Sequence, residues 1–81
     1  MAKPSPKYAG TKELVSLGEA IRNARVEAGL SQEALAMEAE LDRSYMGGIE
    51  RGEHNLTLMN LLRISRALNI KPSELLETCK L

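Results

Sequence analysis

The sequence predicts an all-α fold in one small domain, and three observations support this prediction. Apolar residues recur at three- and four-residue steps along successive segments, which is the spacing that lines one face of a helix. The chain of 81 residues has no Trp or Phe and only two Tyr, so its core is aliphatic. Residues that begin and end helices bracket each segment. A chain of this length forms one domain with a small core of marginal stability.

The chain begins with a segment that differs in composition from the rest. Residues 1–10 contain two prolines and a glycine and little apolar content. We expect a flexible N-terminal arm there, followed by a folded domain over residues 11–81.

The first helix is expected over residues 12–28, with Thr11 as its N-cap and Gly29 at its end. Gly18 falls inside this pattern and lowers helix propensity by about 1 kcal/mol relative to Ala. A start nearer residues 15–16 is therefore the alternative.

Two short helices that cross over a tight turn are expected over residues 32–51. Their inward-facing residues fall at the required spacing: Leu35, Ala36 and Ala39 on one helix, Leu41 in the turn, and Met46 and Ile49 on the other. Ser31 and Asp42 are suitable N-caps, and Gly52 can end the second helix. The pattern is a helix-turn-helix. Its turn requires a positive φ at Glu40, where glycine is usual, and a non-glycine residue there costs about 1 kcal/mol.

Two more helices complete a five-helix fold. Thr57 can cap a fourth helix through Leu68, with Asn69 as a left-handed stop, and Pro72 lies in the first turn of a fifth. On the fourth helix the expected core face, packed against the first helix, comprises Leu58, Leu61, Ile64, Ser65 and Leu68. The chain end is more apolar than a small monomer needs, which predicts a dimer surface formed by Ile70, Leu75, Leu76 and Leu81.

Several classes of function lack the residues that they need. The single cysteine, Cys79, forms no internal disulfide, and no Cys/His spacing indicates a metal site or a cofactor. No catalytic constellation is present, so we expect no enzyme, and the lone His54 is expected to be solvated. The chain has neither an apolar run of roughly 20 residues nor the apolar core of a signal peptide, which predicts a cytoplasmic protein.

The run SQEALAMEAELDRSYMGGIERGEHNLTLMNLLRISRALNI resembles the DNA-binding domain of phage-repressor and Cro-type regulators, the XRE family. The resemblance covers about residues 17–76. Within the family, LDRSY followed by GGIERG and NLTL is most similar to controller proteins of restriction-modification systems. The resemblance implies a lambda-repressor-like fold and a transcription regulator that binds a palindromic operator on double-stranded DNA as a homodimer. RNA polymerase is a further candidate partner.

The second helix of the motif carries the candidate base contacts. Arg43 can donate two hydrogen bonds to guanine O6 and N7, and the neighbouring Ser44 hydroxyl can reach a base edge or a phosphate. Tyr45 can contact DNA, or its ring can pack on the fourth helix. Gly48 stands where other family members carry a base-reading side chain, so its backbone is expected to approach the groove. The alternative is that Gly47 and Gly48 lie on a face that is simply exposed.

Three residues are candidate phosphate contacts. The resemblance implies this role for Gln32 at the start of the first motif helix, where the helix dipole helps. Asn55 and Arg51 are the others, although Arg51 can pair with Glu50 or Glu53 instead. Glu50 itself is expected to be structural.

The balance of charge favours modest non-specific DNA binding, because the formal net charge is zero and phosphate contacts supply most of such affinity. The alternative function is a protein-interaction module, such as an antitoxin or a regulator partner, with weak DNA binding.

Overall fold

The computed structural model describes residues 3–81, so the first two residues of the predicted arm lie outside the described residues. Within this range there are five helices and no strand, which confirms the predicted all-α class. None of the five is long and apolar enough to cross a bilayer. The helices are α1 (Lys12–Glu27), α2 (Gln32–Ala39), α3 (Arg43–Glu50), α4 (Leu58–Ala67) and α5 (Pro72–Thr78).

Helix starts follow the sequence closely. The side chains of Thr11, Ser31 and Thr57 each accept a hydrogen bond from the amide three residues later, at 3.4, 3.0 and 3.1 Å. Helix α1 therefore begins at Lys12, and the later start is wrong. Asp42 is the N-cap of α3 by position, but within residues 3–81 its side chain closes no cap hydrogen bond.

The turn between α2 and α3 forms as predicted. Glu40 lies in the left-handed region with φ 58° and ψ 42°. The amides of Glu40 and Leu41 donate to the carbonyls of Met37 and Ala36 at 3.1 and 2.8 Å, which satisfies the last carbonyls of α2. These two hydrogen bonds hold a non-glycine residue in a conformation that usually favours glycine.

The core receives side chains from all five helices. Helix α1 packs on α3 and α5, and α2 packs on α3 and α4. The prediction that α4 closes against α1 is wrong, because α4 packs mainly against α2 and α5. Leu58 is also mispredicted: it is the first residue of α4, projects past the core and is 69% exposed. The fully buried apolar side chains are Ile21, Leu35, Met46, Ile64 and Leu75.

Gly18 marks the closest approach between α1 and α3. A Cβ added at Gly18 would lie 2.5 Å from the carbonyl oxygen of Ile49 and 2.6 Å from that of Glu50. The glycine thus lets the backbone of α1 contact the end of α3. At Gly52, where φ is +79°, an added Cβ would lie 2.8 Å from the Cα of Val15. The first turns of α1 and the end of α3 therefore form one rigid junction.

The described part of the expected flexible arm is docked on the folded domain. The amide of Ser5 donates to the carbonyl of Glu53 at 2.8 Å, and the amide of Gly10 donates to the carbonyl of Gly52 at 2.8 Å. Between them the chain turns, and the amide of Tyr8 donates to the Ser5 hydroxyl at 3.2 Å. The chain therefore forms a turn over residues 6–10 and hydrogen-bonds through the amides of Ser5 and Gly10 to the loop after α3.

The predicted dimer surface is largely used inside the monomer. Leu75 is 1% exposed and belongs to the core, so it cannot contribute to a dimer surface in this fold. Ile70 and Leu76 are half-buried against the same core. Only Leu81 of the four is mostly exposed, at 55%. The reason is that α5 covers α1 and α4 and needs an apolar face to do so.

Candidate nucleic-acid interface

The first turn of α3 presents the strongest candidate for a base contact. The side chain of Arg43 is exposed and makes no hydrogen bond or ion pair with any other residue of the range 3–81. Ser44 is half-buried, and its hydroxyl donates to the Asp42 carboxylate. That hydrogen bond is the main cause that lowers the pKa of Asp42. Since its proton is engaged, the Ser44 hydroxyl offers lone pairs to an external donor.

Tyr45 packs between α4 and the loop after α3. Its phenolic oxygen accepts a hydrogen bond from Nδ2 of Asn60 at 3.1 Å. Its ring centroid lies 4.7 Å from that of His54, with the planes tilted by 41°. The packing on the fourth helix that the sequence left open is therefore present. The phenol still has its own proton to donate, so this placement is compatible with a contact to DNA.

Gly48 does not lie on the exposed face of α3, which corrects the expectation that its backbone approaches the groove. It is buried, and a Cβ at Gly48 would overlap Nε2 of His54. Gly47 is buried as well, so the alternative of an exposed face is also wrong. His54 is 7% exposed rather than solvated. The missing side chain at Gly48 therefore makes room for an imidazole, and the glycine needs no role in base recognition.

A buried ion pair joins α3 to the rest of the domain. Arg25 donates from Nε to Oε2 of Glu50 at 2.7 Å and from Nη2 to Oε1 at 3.2 Å, and its Nη1 donates to the carbonyl of Leu30 at 2.8 Å. The side chains of Arg25 and Glu50 are 12% and 2% exposed. The structural role predicted for Glu50 is confirmed.

Gln32 belongs to the same network. Its Nε2 donates to Oε1 of Glu50 at 3.0 Å, so the amide nitrogen expected on a phosphate is engaged inside the protein. The Ser31 side chain caps α2 just before Gln32, and the remaining amides of that first turn stay available to an anion. The expected phosphate contact at Gln32 therefore depends on the backbone of α2 more than on the side chain.

Arg51 forms the pair with Glu53 that the sequence left as an alternative. Its Nε and Nη2 donate to Oε2 and Oε1 of Glu53 at 2.8 and 3.2 Å. The hydrogen bond from Arg51 lowers the pKa of Glu53. The Arg51 side chain is 62% exposed, and exposed pairs of this kind contribute little, so a phosphate can compete for the guanidinium. Asn55 is exposed on the loop that follows.

The fold arranges these candidates along one helix. A Cβ at Gly47 would lie 3.2 Å from Nη1 of Arg51 and 3.5 Å from Oε1 of Gln32, so both side chains lie beside the same turn of α3. Arg43 lies at the other end of the helix, in its first turn. Arg43 therefore lies at the opposite end of α3 from Arg51 and Gln32.

The described residues offer little for other chemistry. Over residues 3–81 no group of three or more His, Cys, Asp or Glu side chains is placed to hold a metal ion. Cys79 is half-buried, and its Sγ lies 3.4 Å from the carbonyl oxygen of Leu76.

Comparison with known proteins places this arrangement in a family. A helix-turn-helix family model matches residues 21–75. The control protein C.BamHI of Bacillus amyloliquefaciens is 43% identical over 61 residues, which span 74% of this chain and 75% of that protein. The control protein C.MunI of Mycoplasma sp. is 42% identical, over 75% of this chain and 84% of its own.

A solved structure shows the same relationship. The crystal structure of the restriction-modification controller protein C.AhdI from Aeromonas hydrophila is 52% identical and superposes with a TM-score of 0.75. The match covers 76% of this chain and 94% of that one. The chain therefore belongs to the XRE-type helix-turn-helix family, in which its relatives include restriction-modification control proteins.

Proposed function

We propose that this protein binds double-stranded DNA as a homodimer and regulates transcription from a palindromic operator, in the manner of a restriction-modification controller protein. One observation carries the proposal. The side chain of Arg43, in the first turn of α3, is exposed and has no partner within residues 3–81. The opposite face of that helix is buried.

The chemistry of this surface fits recognition of a base pair. The planar guanidinium of Arg43 matches the O6 and N7 acceptors of guanine in the major groove. The Ser44 hydroxyl, held by Asp42, supplies a neighbouring acceptor. Arg51, Asn55 and the first amides of α2 are suited to phosphates, which set the position of the helix along the duplex.

The small surface that one α3 helix presents supports binding as a two-fold symmetric dimer. One α3 helix reads only a few base pairs, and dimers of such domains bind half-sites about one helical turn apart. The relatives that are named as control proteins support the regulatory role. Bound to its operator, the dimer would exclude RNA polymerase or contact it, and its DNA partner would place it in the cytoplasm.

Substitution of Arg43 tests the proposal. We expect Arg43→Ala to reduce the preference for operator over random duplex by roughly 5- to 150-fold for each half-site, which corresponds to about 1–3 kcal/mol per contact. Fluorescence anisotropy at fixed salt measures both affinities. The matched control is Arg63→Ala, because Arg63 is an exposed arginine on α4 that lines a cleft with the C-terminal end of α2, away from Gln32.

Two results would contradict the proposal. Equal losses on operator and random duplex for Arg43→Ala would remove Arg43 from base recognition. A wild-type protein that prefers no duplex and binds DNA with a flat salt response would support the protein-interaction module instead.

A further inference from the structure

The turn formed by residues 5–10, here called the docked turn, is held against the loop that leaves α3. Both of its ends are attached through backbone atoms, Ser5 to the carbonyl of Glu53 and Gly10 to the carbonyl of Gly52, each at 2.8 Å. Gly52 in turn contacts Val15 at the start of α1. The docked turn is therefore fixed relative to α3 without the use of its own side chains.

Two side chains of the docked turn are exposed and are available to an external partner. Lys7 is exposed, and its Nζ lies 5.4 Å from the ring centroid of Tyr8. Tyr8 is 43% exposed, more than Tyr45, the other tyrosine of the chain. Tyr8 and Asn55 line one surface cleft of about 510 Å³, together with Thr11, Glu13 and Leu14. Asn55, a candidate phosphate contact, thus shares a surface with residues nearly fifty positions earlier.

We infer that the docked turn is a further DNA-backbone contact, in which Lys7 and Tyr8 bind a phosphate neighbouring the one bound by Asn55. The inference rests on the proposed function, since α3 in the major groove brings the loop after it over the sugar–phosphate backbone. An ammonium group and a phenolic O–H are both donors that suit a phosphate oxygen.

The local charges support an anion at this position. Two carboxylates lie nearby, but Glu53 is paired with Arg51, which leaves Glu13 as the acidic side chain that lines the cleft. Lys7 supplies a positive charge beside Tyr8, which lines the same cleft. Because the backbone hydrogen bonds already order the turn, its binding to DNA loses little additional conformational entropy.

The salt dependence of binding tests the inference. Each phosphate contact contributes about 0.9 to the slope of log K against log salt. With the full chain, Lys7→Gln is expected to reduce the magnitude of that slope by about 0.9 per protomer and to weaken binding to operator and random duplex alike. Tyr8→Phe, which keeps the ring and removes the donor, is expected to weaken both equally but leave the slope unchanged.

A matched lysine provides the control. Lys71 is exposed and lies just beyond α4, at the opposite end of that helix from the Asn60 contact to Tyr45. Lys71→Gln should leave slope and affinity unchanged. Phosphate ethylation interference gives a second readout: one phosphate per half-site whose ethylation blocks the wild type should become neutral for Lys7→Gln.

The outcomes separate this inference from the proposed function. If Arg43→Ala loses its operator preference while Lys7→Gln keeps the wild-type slope and ethylation pattern, the inference is overturned and the proposed function stands. Failure of the wild type to bind any duplex would overturn both. Circular dichroism of Lys7→Gln should match the wild type, since the side chain is exposed.

Discussion

At the scale of single residues, Gly48 decides where the loop after α3 can pack. His54 occupies the space that a side chain at Gly48 would fill, and its imidazole packs against the ring of Tyr45. His54 is 7% exposed, so it cannot move aside without losing that packing. Glycine at this position lowers helix propensity by about 1 kcal/mol, but it allows the loop to pack directly against α3.

A double-mutant cycle tests this pairing. Gly48→Ala alone is expected to lower the free energy of unfolding by about 1–3 kcal/mol, because the added methyl overlaps the imidazole. In a His54→Ala background the same change should be neutral or stabilising by up to about 1 kcal/mol, since the overlap is gone and helix propensity improves. Urea denaturation measures all four proteins. Additive effects of the two substitutions would show that the residues do not interact.

Residue-scale features were predictable where they depend on local chemistry. The caps at Thr11, Ser31 and Thr57 and the left-handed residues at Glu40 and Asn69 follow from short-range hydrogen bonding and steric limits, and all are present. The burial of His54 was not predictable in this way. It depends on a loop folding back over a helix, and only the unexplained helical glycines signalled it.

At the scale of elements, the orientation of α3 depends on its contact with α1. The carbonyls of Ile49 and Glu50 contact α1 at Gly18, and the ion pair between Arg25 and Glu50 joins the same two helices. Periodicity predicted which faces of these helices are buried. It did not predict their partners, since Arg25 and Glu50 are 25 residues apart and a helical pattern does not identify what it faces.

Gly18→Ala tests the junction. The new methyl would meet backbone carbonyl oxygens, which cannot rotate away as a side chain can. We expect a loss of about 1–3 kcal/mol in the free energy of unfolding and weaker operator binding, because α3 must shift. Gly47→Ala is the control: its methyl would meet only the ends of the Arg51 and Gln32 side chains, so stability should be unchanged or rise by up to about 1 kcal/mol. Equal stability of the two variants would contradict the close contact.

At the scale of the whole molecule, five helices within 30 × 29 × 20 Å leave one end of α3 exposed for recognition. The family and the helix-turn-helix were predictable because the motif lies in one continuous stretch. The placement of the two chain ends was not. Leu75 was expected to be surplus apolar surface but completes the core, and the segment from Ser5 to Gly10 hydrogen-bonds to the loop after α3, which its composition did not indicate. The placement of both chain ends depends on tertiary contacts, which the local sequence pattern does not predict.

Selection of bound duplexes from a random DNA library, with the full chain at physiological salt, tests the central claim most directly. The account predicts enrichment of a two-fold symmetric sequence whose half-sites are centred roughly one helical turn, about 10 base pairs, apart. It also predicts that Arg43→Ala loses the preference at one base pair in each half-site, while Arg63→Ala selects the wild-type sequence. Enrichment of no sequence, or an operator preference that Arg43→Ala leaves intact, would contradict the account.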